Sequence, residues 1–158
     1  MSIIENNKEL KLENVLSLRK KMGQADVPQE MMKIGGFLKR NDIKKNGPIV
    51  TATFNIEKTN EEPILDMEIL VPMDRQVELS GEYKLKKVFH LVNAVLIRHH
   101  GDPNLLQNTY NELMAYIKEK GLQQITTAYN VNIKDLQPGQ SLGEMIIDVY
   151  IGVNPSIL

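Results

Sequence analysis

The sequence predicts an α+β fold: duplicated βαββ units whose strands form one antiparallel-rich sheet, with two helices on one face. Three observations lead to this expectation. The order strand, helix, strand, strand reads twice along the 158 residues. The strands after each helix align between the copies, "TATFNI" with "TTAYNV" and "ILDMEILV" with "IIDVYIGV". Two copies are too few for a solenoid, and strands need partners, so pooling both halves in a single domain is the compact solution.

The first copy, about residues 14–73, opens with "ENVLSLRKKM" as a strand. The helix "VPQEMMKIGGFLKRN" follows, then the strands "PIVTATFNIEK" and "PILDMEILVPM". Its helix carries a Met31, Ile34, Leu38 stripe interrupted by Gly35 and Gly36, each costing about 1 kcal/mol relative to alanine. Two explanations fit the glycines. A partner can approach the backbone there, with Met31 and Met32 as adaptable contacts. Alternatively the helix packs closely on the sheet or kinks, and the stripe alone explains burial of Ile34 and Leu38. The following "KRNDIKKNG" is a solvated loop or a basic docking patch.

The second copy, about residues 84–154, begins with "KKVFHLVNAVLI", apolar on both alternations as a strand covered on both faces. A helix over 103–120 is marked by Leu106, Tyr110, Leu113 and Ile117 at steps of four, three and four. Asp102 suits the N-cap, Pro103 the first turn, Lys118 and Lys120 the C-terminal dipole, and Gly121 a left-handed stop. Two strands, "QQITTAYNVNI" and "MIIDVYIGVN", flank the turn "LQPGQSLG". The matched pairs Thr51 with Thr126 and Asp66 with Asp148 lie 75 and 82 residues apart, the difference being a longer turn in the second copy.

Period-two alternation separates Thr51, Thr53 and Asn55 from Val50, Ala52, Phe54 and Ile56. Thr126, Asn130 and Asn132 form the polar side of the second copy, and Asp66, Glu68, Asp148 and Tyr150 fall opposite apolar rows. A polar sheet face therefore gathers Thr53, Asn55, Asp66, Glu68, Asn130, Asn132, Asp148 and Tyr150 as candidate ligand-binding residues. Such a face can receive a cation or a basic peptide, or it is simply the wet side of an antiparallel sheet.

Composition excludes several functions. With 19 Lys+Arg against 20 Asp+Glu, the formal charge is -1, so no global positive field attracts nucleic acid. The chain has 0 Cys, which removes disulfides and thiolate chemistry and suits a reducing cytoplasm. No apolar run reaches the length of a membrane span, so we expect a cytoplasmic protein without membrane partners. Adjacent His99 and His100 point to opposite faces of an extended strand, and His90 and Asp102 do not complete a convergent ligand set. No metal or other cofactor is expected, and the histidines are assigned a structural role at the turn, one bonded and one wet. "GQSLG" satisfies Gly-x-Ser-x-Gly, but Ser141 sits between two strands rather than on a strand-to-helix elbow. No catalytic residue is assigned.

The run "RHHGDPNLLQNTYNELMAYIKEKGL" resembles the second half of GyrI-like small-molecule-binding domains, in which a His-Gly-Pro-Tyr type turn leads into a helix ending Trp-Ile-x-x-x-Gly. The duplicated βαββ order, of SHS2 type, fits as well. The resemblance implies a cleft for drug-like or cationic ligands, as in effector domains of transcription regulators. One departure stands out. Where the family pattern places a glutamate and then a tyrosine, this strand carries Asn130 and Asn132, which offer hydrogen bonds without charge. More loosely, the chain is similar to small proteins encoded beside type VII-secreted LXG toxins.

Two functions follow. One is a non-enzymatic, stand-alone ligand-binding or sequestering module for a small molecule, with a cationic one implied. The other is a protein-binding accessory factor, a chaperone or targeting protein for such a toxin, contacting its partner through Met31 and Met32. An uncapped sheet edge permits a homodimer without requiring one.

Overall fold

The computed structural model describes residues 3–134 and 139–156. The strands are β1 (Ile4–Gly23), β2 (Val50–Glu57), β3 (Ile64–Pro72), β4 (Tyr83–His100), β5 (Gln124–Lys134) and β6 (Ile146–Val153). The helices are α1 (Val27–Arg40), between β1 and β2, and α2 (Leu106–Glu119), between β4 and β5. Residues 136–138 of the turn read as "LQPGQSLG" lie outside the described residues. The α+β class and the twofold strand, helix, strand, strand order agree with expectation; β1 begins at Ile4, nine residues before the segment "ENVLSLRKKM". Among the described residues, no helix is long and apolar enough to cross a membrane.

The chain divides into two compact units, Leu12–Phe89 and Met1–Lys11 with His90–Leu158. In the first, β3 pairs antiparallel with both β1 and β2. One sheet face carries Leu16, Leu18, Met67, Ile69 and Val71, and α1 packs there through Ile34 and Leu38. Removing each of these aliphatic chains from water contributes roughly 1.5–3 kcal/mol. Pro28 in the first turn and Lys39 and Arg40 in the last suit the ends of α1. Phe37 meets Tyr83 edge to face, with ring centroids 5.2 Å apart.

In the second unit, β6 pairs antiparallel with β4 and β5. Here α2 buries the expected stripe of Leu106, Tyr110, Leu113 and Ile117 against Val95, Ile97, Ile147 and Val149. Asp102 Oδ1 accepts the Asn104 amide at 2.9 Å, and a short 3-10 turn over Pro103–Leu105 leads into the helix proper. Gly121 stops it at φ 65°, and Leu122 N–H donates back to the Ile117 carbonyl at 3.0 Å.

The strand register corrects the period-two reading in two places. A bulge between Thr53 and Asn55 leaves Thr53 opposite Met67 and Asn55 opposite Asp66, so these two residues lie on different faces. In the second unit Asn130 faces Val149 and Asn132 faces Ile147, on the helix-covered side, whereas Asp148 and Tyr150 share their face with Val131 and Tyr129. The polar residues therefore do not form one face. The glycine pair of α1 also departs from close packing: a Cβ added at Gly35 meets nothing within 4 Å, and one at Gly36 meets only the Arg40 side chain.

Candidate functional site

The sheet face turned away from α1 is neither solvated nor uniformly polar. Val15, Val50, Ala52 and Leu70 are fully buried on it, and among them Glu68 is 3% exposed. A carboxylate withdrawn from water needs compensating donors. Two reach the same oxygen: the Ser17 hydroxyl and the Lys86 ammonium each donate to Glu68 Oε2 at 2.6 Å. Lys86 retains 39% exposure of its side chain, so its stem runs from water to the buried acid.

Beside it, Arg19 donates from Nε and Nη2 to the two oxygens of Asp66 at 3.2 and 3.1 Å. That guanidinium stacks 3.9 Å from the Phe54 ring centroid. The hydrogen-bonded Arg19 holds the Asp66 carboxyl below its usual range. Asn55 lies across from Asp66 and is exposed.

The second unit also pairs an arginine with an aspartate, here directly across the strand pair rather than diagonally. Arg98 Nε and Nη2 donate to Asp148 Oδ1 and Oδ2 at 2.7 and 3.0 Å, with the Asp148 side chain 6% exposed. Tyr150 stands two residues along the same face, opposite Tyr129. Burial, and then the negative Asp148, push the Tyr150 phenol above its usual value.

Asn130 is on the other side, with α2. Burial raises the Tyr110 phenol, and a hydrogen bond from Asn130 partly offsets this. Asn130 Oδ1 is buried without a hydrogen-bond partner.

His99 is buried and pins the turn. Its Nε2 lies 2.9 Å from the Asp102 carbonyl, which can only accept, leaving Nδ1 to accept the Thr109 hydroxyl at 2.6 Å. His100 is exposed. Among the described residues, no group of three or more His, Cys, Asp or Glu converges on a metal position. Ser141 is exposed in the turn before β6, and Met31 is half-buried while Met32 is 77% exposed.

The candidate carboxylates are thus brought onto faces turned away from the helices, each already partnered by a cation. Those cations, Arg19, Lys86 and Arg98, and the hydroxyl of Ser17 escape sequence reasoning. Ser17 leaves one trace: it is the polar residue within the buried run Val15, Leu16, Leu18.

No family model matches the chain, and no curated protein matches it in sequence. Solved structures do match in shape. The EcmrR C-terminal domain superposes with a TM-score of 0.74 at 15% identity, over 98% of both chains. The fold is that of the GyrI-like domains. In the complex of EcmrR with DNA the match has a TM-score of 0.76 at 17% identity, covering 97% of this chain but 57% of EcmrR, so the chain spans little more than half of that protein. A Listeria innocua hydrolase matches with a TM-score of 0.61 at 15% identity, over 94% of this chain and 92% of its own. SAV2435 bound to tetraphenylphosphonium matches with a TM-score of 0.50 at 10% identity, over 98% and 94% of the two chains. The same fold is therefore found both in EcmrR, in a complex with DNA, and in SAV2435, bound to tetraphenylphosphonium.

Proposed function

We propose that this chain is a non-enzymatic small-molecule-binding module that takes an amphipathic organic cation at the Glu68 carboxylate. The observation behind this reading is the pairing of a buried Glu68 with a half-exposed Lys86. Lys86 acts as a resident counter-ion: a flexible, strongly hydrated ammonium that can withdraw to water when a ligand cation replaces it. The ligand gains the buried charge, Lys86 regains its hydration, and the apolar surroundings of Glu68 cover the rest of the ligand. Tetraphenylphosphonium on SAV2435, a protein of the same fold, supports the ligand class. Asp148 and Tyr150 offer the second unit's equivalent of this chemistry, an acid beside an aromatic ring. Thr53, Asn130 and Asn132 leave the ligand-contacting set because of their faces, whereas Asn55 and Asp66 stay in it.

The test is Glu68→Gln combined with Asp148→Asn. Binding of an organic cation weakens at least tenfold while the fold persists; unaltered affinity discards the carboxylates as the site.

The two units are read as copies of one βαββ module within a single domain, supported by the shared element order and by the antiparallel pairing of β3 with β1 and β2 and of β6 with β4 and β5. A second function, a protein-binding accessory factor for a toxin of a type VII secretion system, is favoured by Met32 standing 77% exposed on α1. Met31→Asp with Met32→Asp then abolishes copurification of a stoichiometric partner, and full retention of that partner removes this helix face from consideration.

A further inference from the structure

We propose that the groove between α1 and the loop following it is a second binding site, for an anionic amphiphile: a single acyl chain ending in a carboxylate. The groove lies on the α1 side of its sheet, away from Glu68, as an open trough of about 490 Å³. That volume falls within the roughly 300–1,000 Å³ of small-ligand sites. Its floor is aliphatic, formed by Met31, Ile34, Leu38 and Ile43. The wall at Gly35 is open, since an added Cβ there meets nothing within 4 Å. A glycine in mid-helix lowers helix stability, so the space it leaves has a stability cost that close packing does not explain.

Three lysines line the groove, Lys39, Lys44 and Lys45, against one carboxylate, Asp42. No ion pair engages these lysines among the described residues. The loop that carries them is fixed rather than draped. Ile43 N–H donates to the Leu38 carbonyl at 2.8 Å, Asp74 N–H to the Lys44 carbonyl at 2.9 Å, and Asn46 N–H to the Pro72 carbonyl at 2.9 Å. The last-turn carbonyls of α1 are also covered: Phe37, Leu38 and Lys39 accept from the amides of Asn41, Ile43 and Asp42, and just past the helix Arg75 donates to the Asn41 and Asp42 carbonyls at 3.2 and 3.0 Å. An incoming carboxylate thus meets ammonium groups without opposition from bare helix carbonyls.

Chemistry separates an acyl chain from a peptide. The lining contains no amide or hydroxyl side chain with which to read a peptide backbone, only methylenes, a thioether and charges. An alkyl tail over the floor and a carboxylate among the lysines satisfy everything the groove presents.

The experiment titrates sodium dodecanoate, below its micelle-forming concentration, into the full chain, followed by methyl NMR and calorimetry. The proposal expects saturable one-to-one binding with shifts at Ile34, Leu38 and Ile43. Affinity should fall at least tenfold in Gly35→Phe, whose ring fills the groove, and in Lys39→Gln/Lys44→Gln/Lys45→Gln, whose exposed changes leave the fold intact. Dodecyltrimethylammonium should not shift the same methyls. Non-saturating binding, undiminished affinity in the triple lysine variant, or shifts of the Ile34, Leu38 and Ile43 methyls by the cationic amphiphile equal to those by dodecanoate would each overturn the proposal. So would an acidic amphipathic helical peptide that displaces dodecanoate at lower concentration than dodecanoate itself binds, which would reassign the groove to a protein partner.

Discussion

The Lys86 ammonium and the Ser17 hydroxyl meet on one oxygen of Glu68, both at 2.6 Å, although Ser17 and Glu68 are 51 residues apart in sequence. A buried acid held this way is stable only while its donors remain. Lys86→Met should therefore destabilise the fold by about 1–3 kcal/mol, whereas Glu68→Gln with Lys86→Met should recover much of the loss, because no uncompensated charge is left behind. Urea denaturation of the single and double variants measures the coupling, and simple additivity would argue that Lys86 does not neutralise Glu68.

The pair His99 and Thr109 ties the end of β4 to α2. Thr109→Val leaves the ring nitrogen buried without its donor, at a cost of about 1–3 kcal/mol. His100→Ala, on an exposed side chain, should stay within about 0.5 kcal/mol. Thermal unfolding of the two variants distinguishes the bonded histidine from the wet one.

How far the sequence carried this account depends on the range of the interaction concerned. The helix α2 was legible because its stripe, the Asp102 cap of the 3-10 turn leading into it and its Gly121 stop all lie within one short segment. That one of the two histidines is bonded and the other wet was legible for the same reason; which of them is bonded was not, because it depends on Thr109 of α2. The sides of β2 and β5 were not. Alternation assumes an unbroken ladder, and the bulge after Thr53 is a property of pairing with β3 that leaves no mark in "TATFNI". Asn130 and Asn132 were misplaced because polarity was equated with the side away from the helix, whereas their partners Val149 and Ile147 fix them beneath α2. The carboxylates were read as a free acidic surface since their counter-ions, Arg19, Lys86 and Arg98, come from strands distant in sequence.

Gly152 records another relationship set by pairing. Its N–H donates to Thr126 Oγ1 at 2.8 Å, and an added Cβ would lie 2.8 Å from Thr126 Cγ2. Gly152→Ala should cost about 1–3 kcal/mol through overpacking. Combined with Thr126→Ala, it should cost less than the sum of the two single changes, as judged by a double-mutant cycle on denaturation midpoints.

Tyr150 gives a pH dependence of known sign. Its phenol is raised in the folded chain, by burial first and Asp148 second, so the unfolded chain releases the proton at lower pH. This contribution is complete below the ordinary tyrosine value near 10 and is lost as pH rises through the higher folded value. Stability measured across that alkaline window should fall less steeply in Tyr150→Phe than in the parent chain. Identical slopes would mean that Tyr150 ionises as it does in the unfolded chain.

On the proposed binding mode, Glu68 receives an organic cation in exchange for Lys86. The most direct measurement is a calorimetric titration of tetraphenylphosphonium into the parent chain and into Glu68→Gln, with Lys86 Nζ followed by NMR. Such an exchange gives saturable binding, at least tenfold weaker in Glu68→Gln, together with release of the Lys86 ammonium into solvent. Absence of saturable binding, or binding that leaves Lys86 on Glu68 and ignores the substitution, would contradict it.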